Sequence, residues 1–123
     1  MAQEDRRAHP RHIACFPAHV EVPESEHTQI ALIRNVSVEG ALLLTRSEYD
    51  VDGELSLKLF LSGDPSAEPH DATATVVRAR RRDVERADLW PYEAAVQFGE
   101  PLENLEDEIK QLAKRQSGMF GKL

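Results

Sequence analysis

Between residues 54 and 61, in "ELSLKLFL", leucines at 55, 57, 59 and 61 alternate with Ser56 and Lys58. A period of two puts the leucines on one face of an extended chain, the pattern of an antiparallel strand buried on one side. Segments 13–22, 28–35, 40–46, 71–82 and 93–98 read as five further strands. Turn-forming stretches separate them: "PESE", "VEG", "DVDG" and "SGDPSAEP". Pro17 falls inside the first segment and predicts an unpaired or bulged edge there, because proline has no N–H to donate. Six short strands with frequent turns predict an all-β barrel or sandwich, closure being one way to remove exposed edges.

After residue 100 the period changes. "PLENLEDEIKQLAKRQSG" places Leu102, Leu105, Ile109 and Leu112 at helical spacing, predicting an amphipathic helix packed across the β domain. Pro101 opens it, Glu103, Glu106 and Asp107 suit its N-terminal half, and Lys114 and Arg115 suit its C-terminal end. Gly118 is placed to stop it. Residues 1–12 have no apolar periodicity and are expected to form a mobile tail until a ligand binds.

The chain has 123 residues, 41% hydrophobic and 30% charged, which suits one soluble domain with one core. No apolar run approaches the roughly 20 residues needed to span a bilayer, so no membrane insertion is expected. "MAQEDRRAHPR" lacks the apolar core of a signal peptide, which predicts a cytoplasmic protein. The single cysteine, Cys15, cannot form an internal disulfide, and between Ala14 and Phe16 it reads as a small core residue. A net charge of −7 argues against nonspecific nucleic-acid binding, which depends on neutralising many phosphates. The five histidines show no metal-ligand spacing, so no metal and no cofactor are expected. No nucleophile–base pair, phosphate-binding loop or paired carboxylate motif occurs, so no catalytic residue and no enzymatic activity are expected.

Against this acidic background, Arg6, Arg7 and Arg11 crowd the start of the chain in "DRRAHPR". The planar guanidinium fork donates two parallel hydrogen bonds, which suits both a phosphate and the O6/N7 edge of guanine. Farther on, "NVSVEG" carries Asn35 and Ser37 two apart, expected on the same side of an extended segment, where amide and hydroxyl can pair with a guanine's Watson–Crick edge. Gly40 can supply a positive φ or a close approach of backbone and ligand.

Together, ahead of an all-β pattern and a terminal helix, these stretches resemble the PilZ domain family, bacterial receptors for cyclic di-GMP. The family's Arg-x-x-x-Arg motif, usually preceded by another arginine, corresponds to Arg6, Arg7 and Arg11. Its Asp/Asn-x-Ser-x-x-Gly motif corresponds to Asn35, Ser37 and Gly40, with Asn35 where Asp is commoner. "ELSLKLFL", "ATATVVRAR" and "EAAVQF" leading into a helix extend the resemblance over about residues 5–115.

The resemblance implies a six-stranded antiparallel PilZ-type β-barrel over residues 13–99, with the arginine segment 1–12 before it and a helix and tail over 100–123. It implies that Arg6, Arg7 and Arg11 contact guanine bases and phosphates, while Asn35, Ser37 and Gly40 contact one guanine and its backbone. With no output domain expected in the chain, a separate downstream protein receives the message. Other family members bind no ligand and act as adaptors in motility or pilus assembly, the alternative function. The basic run "RARRRDVER" (78–86), interrupted by Asp83 and Glu85, reads as a solvated strand end, with Arg78 or Arg80 placed for a secondary role near the ligand. Trp90 is either a lid on the loop surface or packing for the barrel mouth.

Overall fold

The computed structural model describes residues 12–23, 28–62, 68–82 and 89–120, the last four of these by backbone course alone. Among the described residues the chain forms β1 (His12–Glu21), β2 (Thr28–Val36), β3 (Gly40–Thr45), β4 (Glu54–Leu59), β5 (His70–Arg81) and β6 (Tyr92–Phe98). A 3-10 turn at Glu103–Leu105 then leads into α1 (Glu106–Phe120). The strands close into an antiparallel barrel in the order β1-β2-β3-β6-β5-β4. Two three-stranded meanders, β1-β2-β3 and β4-β5-β6, therefore meet along two seams. The wider seam pairs all of β3 with β6. The narrower one pairs Ala18–Glu21 of β1 with Ser56–Leu59 of β4.

The interior follows from strand alternation. Ala14, Phe16, Ala18 and Val20 of β1 point inward with Leu55, Leu57 and Leu59 of β4. Alanines at 14, 18, 31, 41, 74 and 94 leave room in a small lumen that Ile33, Leu43, Leu57 and Val96 fill. Cys15 is not among these core residues. With Ala14 and Phe16 at 0% and 2% exposure, the pleat turns Cys15 to the outer face, where it is half-buried. Its neighbours are apolar on both sides, so hydrophobicity alone cannot choose its face.

Pro17 sits where its missing donor is not needed. The β1–β4 ladder begins only at Ala18, and the Pro17 carbonyl accepts the Phe60 N–H at 3.1 Å just beyond the ladder's end. The irregularity in β1 lies earlier, between Ile13 and Phe16, where Ala14 and Cys15 span the single residue Arg34 of β2.

Leu105, Ile109 and Leu112 join the barrel's own core, each contributing about 1.5–3 kcal/mol of apolar burial. Gly118 does not end the helix, which runs on to Phe120. A glycine inside a helix costs only about 1 kcal/mol relative to alanine, too little to break a helix already held by packing. Lys114 and Arg115 consequently lie before the last turn rather than in it.

Candidate functional site

His12, the first residue of β1, lies opposite Val36, the last residue of β2. The segment preceding His12 is the arginine run, and the segment after Val36 is the turn formed by residues 37–40. Antiparallel register therefore tethers the two sequence motifs at one end of the barrel. Arg6, Arg7 and Arg11 themselves lie outside the described residues.

The turn is built by Ser37. Its N–H donates to the Gly40 carbonyl at 2.8 Å. Its Oγ accepts the N–H groups of Glu39 at 3.1 Å and Gly40 at 3.3 Å. Such side-chain-to-backbone bonds substitute for a strand ladder where the chain reverses. Ser37 is 1% exposed, whereas Asn35 is half-buried on the outer face, opposite Ile13 of β1 and Leu42 of β3. β2 ends at Val36 and its alternation ends with it, so the expected common side for Asn35 and Ser37 does not follow from strand geometry.

Gly40 resolves to close approach. A Cβ at this position would lie 2.3 Å from the Val96 carbonyl oxygen, so only glycine lets β3 draw up to β6 here. The approaching backbone is that of β6. The turn is also fastened to the end of β6 and to the segment leading into the helix. The Glu39 carbonyl accepts the Phe98 N–H at 2.8 Å, and the Val38 carbonyl accepts the Leu102 N–H at 2.7 Å. Among the described residues, two buried side-chain atoms here have no hydrogen-bond partner, His12 Nε2 and Glu39 Oε1. Buried polar atoms are nearly always satisfied, so such a pair marks a place where polar partners are wanted.

The outer surface beside the turn carries a transverse row that no sequence pattern announces. Asn35 pairs with Leu42, Leu42 with Ala95, and Ala95 with Arg78. These four residues come from four adjacent strands and lie on the outward face. Arg80 is occupied in an ion pair with Glu93, and Arg82 donates to the Trp90 carbonyl at 3.0 Å. Trp90 is half-buried near the start of β6, whereas the 37–40 turn is bonded to its end at Phe98, so Trp90 is no lid over that turn.

The helix is held at both ends of its course. It begins shortly after Leu102, which is bonded to the turn. Toward its other end the Gln116 amide accepts the Cys15 N–H and donates to the Cys15 carbonyl, both at 2.7 Å. Between these, Glu108 lies 3.5 Å from His70 Nε2 at the start of β5.

Two open clefts, of about 360 and 510 Å³, are lined by residues other than Asn35, Ser37 and Gly40. The larger includes Tyr49, whose hydroxyl donates to Gln29 and whose pKa burial pushes above the usual value. The smaller is crossed by the Lys58–Asp71 ion pair, whose carboxylate raises the Lys58 pKa. Among the described residues no three histidine, cysteine or acidic side chains gather as a metal site, and no helix is long and apolar enough to cross a membrane.

The family model described as PilZ domain matches residues 5–115. No curated protein matches the chain. Among solved structures, the chain is similar to the inhibitor of motility MotI/DgrA of Bacillus subtilis, with a TM-score of 0.67 at 16% identity. That likeness covers 95% of this chain but 56% of the Bacillus protein, so the chain spans little more than half its length. It is similar to the PilZ domain of YcgR from Escherichia coli, solved with c-di-GMP, with a TM-score of 0.73 at 13% identity over 96% of this chain and 99% of that one. It is also similar to MrkH, described as a c-di-GMP-dependent transcription regulatory factor, with a TM-score of 0.58 at 15% identity over 86% of this chain and 48% of that one. At these identities the likeness is one of fold.

Proposed function

The chain belongs to the PilZ domain family, and on that premise we propose that it is a non-enzymatic, cytoplasmic receptor for cyclic di-GMP that signals to a partner protein by a change of surface. The register of His12 against Val36 carries this proposal, because it tethers the arginine segment beside the turn of the second motif. Arg6, Arg7 and Arg11 supply forks for guanine and phosphate, Asn35 an amide for a guanine edge, and the Ser37–Gly40 turn the backbone against which the base is held. Among the described residues His12 Nε2 and Glu39 Oε1 have no hydrogen-bond partner, which supports the same assignment.

Signal transfer has a physical route. A ligand drawn between the two motifs bears on the turn and on the start of β1. The turn is bonded to Leu102 ahead of the helix, and Cys15, shortly after the arginines, is bonded to Gln116 within it. Both attachments of α1 thus lie beside the proposed ligand, which shifts the population between two helix positions. His12 is already paired in β1, so the segment that docks is residues 5–11, at roughly 1–2 kcal/mol of backbone entropy per residue fixed, offset by charge-assisted hydrogen bonds to the ligand.

A ligand-independent adaptor, working in motility or pilus function through protein contacts alone, is the second reading. Burial of Ser37 in its turn favours it, since that hydroxyl already serves the fold. Calorimetric titration decides between them. The receptor binds cyclic di-GMP and discriminates against cyclic di-AMP, whose adenine edge offers one acceptor and one donor in place of guanine's two acceptors. Equal affinity for both nucleotides, or none for either, sinks the receptor.

A further inference from the structure

Leu44 and Phe60 are each 6% exposed, yet neither belongs to the barrel's core. The ladders place them. Leu44 pairs with Leu32 and Leu32 with Pro17, while the Phe60 N–H bonds the Pro17 carbonyl, so one row crosses β3, β2, β1 and the chain just after β4. Leu43, Ile33, Ala18 and Leu59, their neighbours along each strand, are core residues, so the pleat turns the row outward. A second row lies beside it. Ile30 pairs with His19 and His19 with Lys58, and the His19 ring meets Phe60 edge-on at 4.7 Å between centroids. Ile30 is 57% exposed, and Leu32, Pro17 and His19 are half-buried.

The outer face of an antiparallel sheet is ordinarily its polar one. These rows are mainly apolar, contiguous and unused by the lumen, which marks a surface that something else covers. Three interstrand steps separate Leu44 from Phe60, about 14 Å, and two residues along a strand separate the rows by about 7 Å. Such a strip matches the apolar stripe of an α-helix, three turns of which span about 16 Å. Its borders are cationic. Arg34 follows Leu32 by two residues on one side, and Arg46 follows Leu44 by two on the other, the Ile30 side. Both are exposed, and among the described residues neither is engaged in a hydrogen bond or ion pair. Lys58 ends the second row and is paired with Asp71. A second copy would set these cations against their own like, and a net charge of −7 repels an anionic bilayer.

We propose that the strip of Ile30, Leu32 and Pro17 is the docking surface for an amphipathic helix of another protein, one whose apolar stripe is flanked by aspartate or glutamate. Ile30 is the anchor, and Arg34 and Arg46 pair with the flanking carboxylates. This rests on the reading that the chain signals to a partner protein, whose chemistry it names, and it requires nothing of the nucleotide site.

The test titrates the full chain into synthetic helical peptides of about 18 residues, long enough to hold a helix, and follows fluorescence anisotropy. The peptides share one leucine stripe and differ in its flanks, which are glutamate, serine or lysine. The glutamate peptide is expected to bind about tenfold tighter than the lysine peptide or better, and to weaken as salt rises. Ile30→Thr, which keeps the β-branch, is expected to weaken it about tenfold, and Arg34→Glu to shift the preference toward lysine. Val51→Thr, at a valine 53% exposed outside the strip, is expected to stay within about twofold. Melting temperatures of all variants should match wild type, because these side chains are exposed. Equal binding of the glutamate and lysine peptides overturns the proposal, as does unaltered affinity in Ile30→Thr. Attachment to phosphatidylglycerol vesicles, or dimerisation in sedimentation, that disappears in Ile30→Thr gives the strip another occupant and overturns it equally. Cyclic di-GMP titrated in parallel separates the two readings. Nucleotide binding without peptide binding leaves the receptor standing and removes the docking strip, whereas peptide binding without nucleotide binding supports the strip in a ligand-independent adaptor.

Discussion

The side-chain amide of Gln116 pairs with both backbone groups of Cys15, accepting its N–H and donating to its carbonyl at 2.7 Å each. These are the groups a neighbouring strand would bond, at a place where the β1–β4 ladder has already ended. A helix side chain therefore completes the sheet edge that β4 leaves open, and α1 is part of the barrel's closure as well as its cover.

Removing this amide should loosen the helix measurably. Gln116→Ala is expected to lower the unfolding free energy by about 1–3 kcal/mol, the range for leaving part-buried backbone groups without partners. Gln116→Glu should be nearly as damaging at neutral pH, because a carboxylate keeps the acceptor and sets a second oxygen against the Cys15 carbonyl. Urea denaturation checks both, and wild-type stability in both would show that water replaces the amide without cost.

Gly40→Ala should destabilise the barrel by about 1–3 kcal/mol or more through overpacking, since the new methyl meets the Val96 carbonyl oxygen at 2.3 Å. Any loss of nucleotide affinity in this variant is then expected to accompany a fall in melting temperature. Lost affinity at an unchanged melting temperature would instead mark Gly40 as a ligand contact first.

Arg7→Ala and Arg11→Ala should behave in the opposite way. Each is expected to weaken cyclic di-GMP binding by roughly 5- to 150-fold, equivalent to about 1–3 kcal/mol. Melting temperatures should stay at the wild-type value, because neither residue belongs to an apolar pattern. A collapse of stability in either variant would make these arginines structural.

Tyr49 gives the fold an alkaline limit. Burial raises its pKa, so the folded state holds the phenolic proton more tightly than the unfolded chain. This contribution is fully present below the unfolded value near 10 and is lost as pH rises through the higher folded value. Stability measured from about pH 9 upward should fall less steeply in Tyr49→Phe than in wild type. At neutral pH the same variant should cost about 0.5–1.5 kcal/mol, the bond from its hydroxyl to Gln29 being gone. Parallel pH profiles for the two proteins would remove Tyr49 from the account.

Most of the fold is legible in the sequence because period-two alternation speaks for itself in β4 and because the helical period of Leu105, Ile109 and Leu112 matches the face that is buried. The pairing of the two motifs is legible only through family resemblance, since nothing local says that residue 12 will lie beside residue 36. What stays hidden depends on phase. Cys15 sits in a run apolar on both faces, so its side of the sheet is fixed by the pleat. Ser37 lies one residue past the strand and so escapes its alternation. Arg78 is legible as a candidate in the basic run, but its line with Asn35 comes from one-residue slips in two strands, and a slip leaves no trace in composition. Gln116 looks like any solvated helix residue until its partner is a strand edge.

The unequal seams also set an order of events in folding. Each meander is made of hairpins between neighbours in sequence, while β3–β6 and β1–β4 join distant segments and carry the larger loop-closure entropy. The β3–β6 seam has six residue pairs to recover that entropy, and the β1–β4 seam has four with a proline at its edge. The narrow seam is therefore the late-forming, early-yielding line of the molecule. Destabilising substitutions along it, such as Leu57→Ala, should mainly quicken unfolding, whereas those along β3–β6, such as Leu43→Ala, should mainly slow refolding.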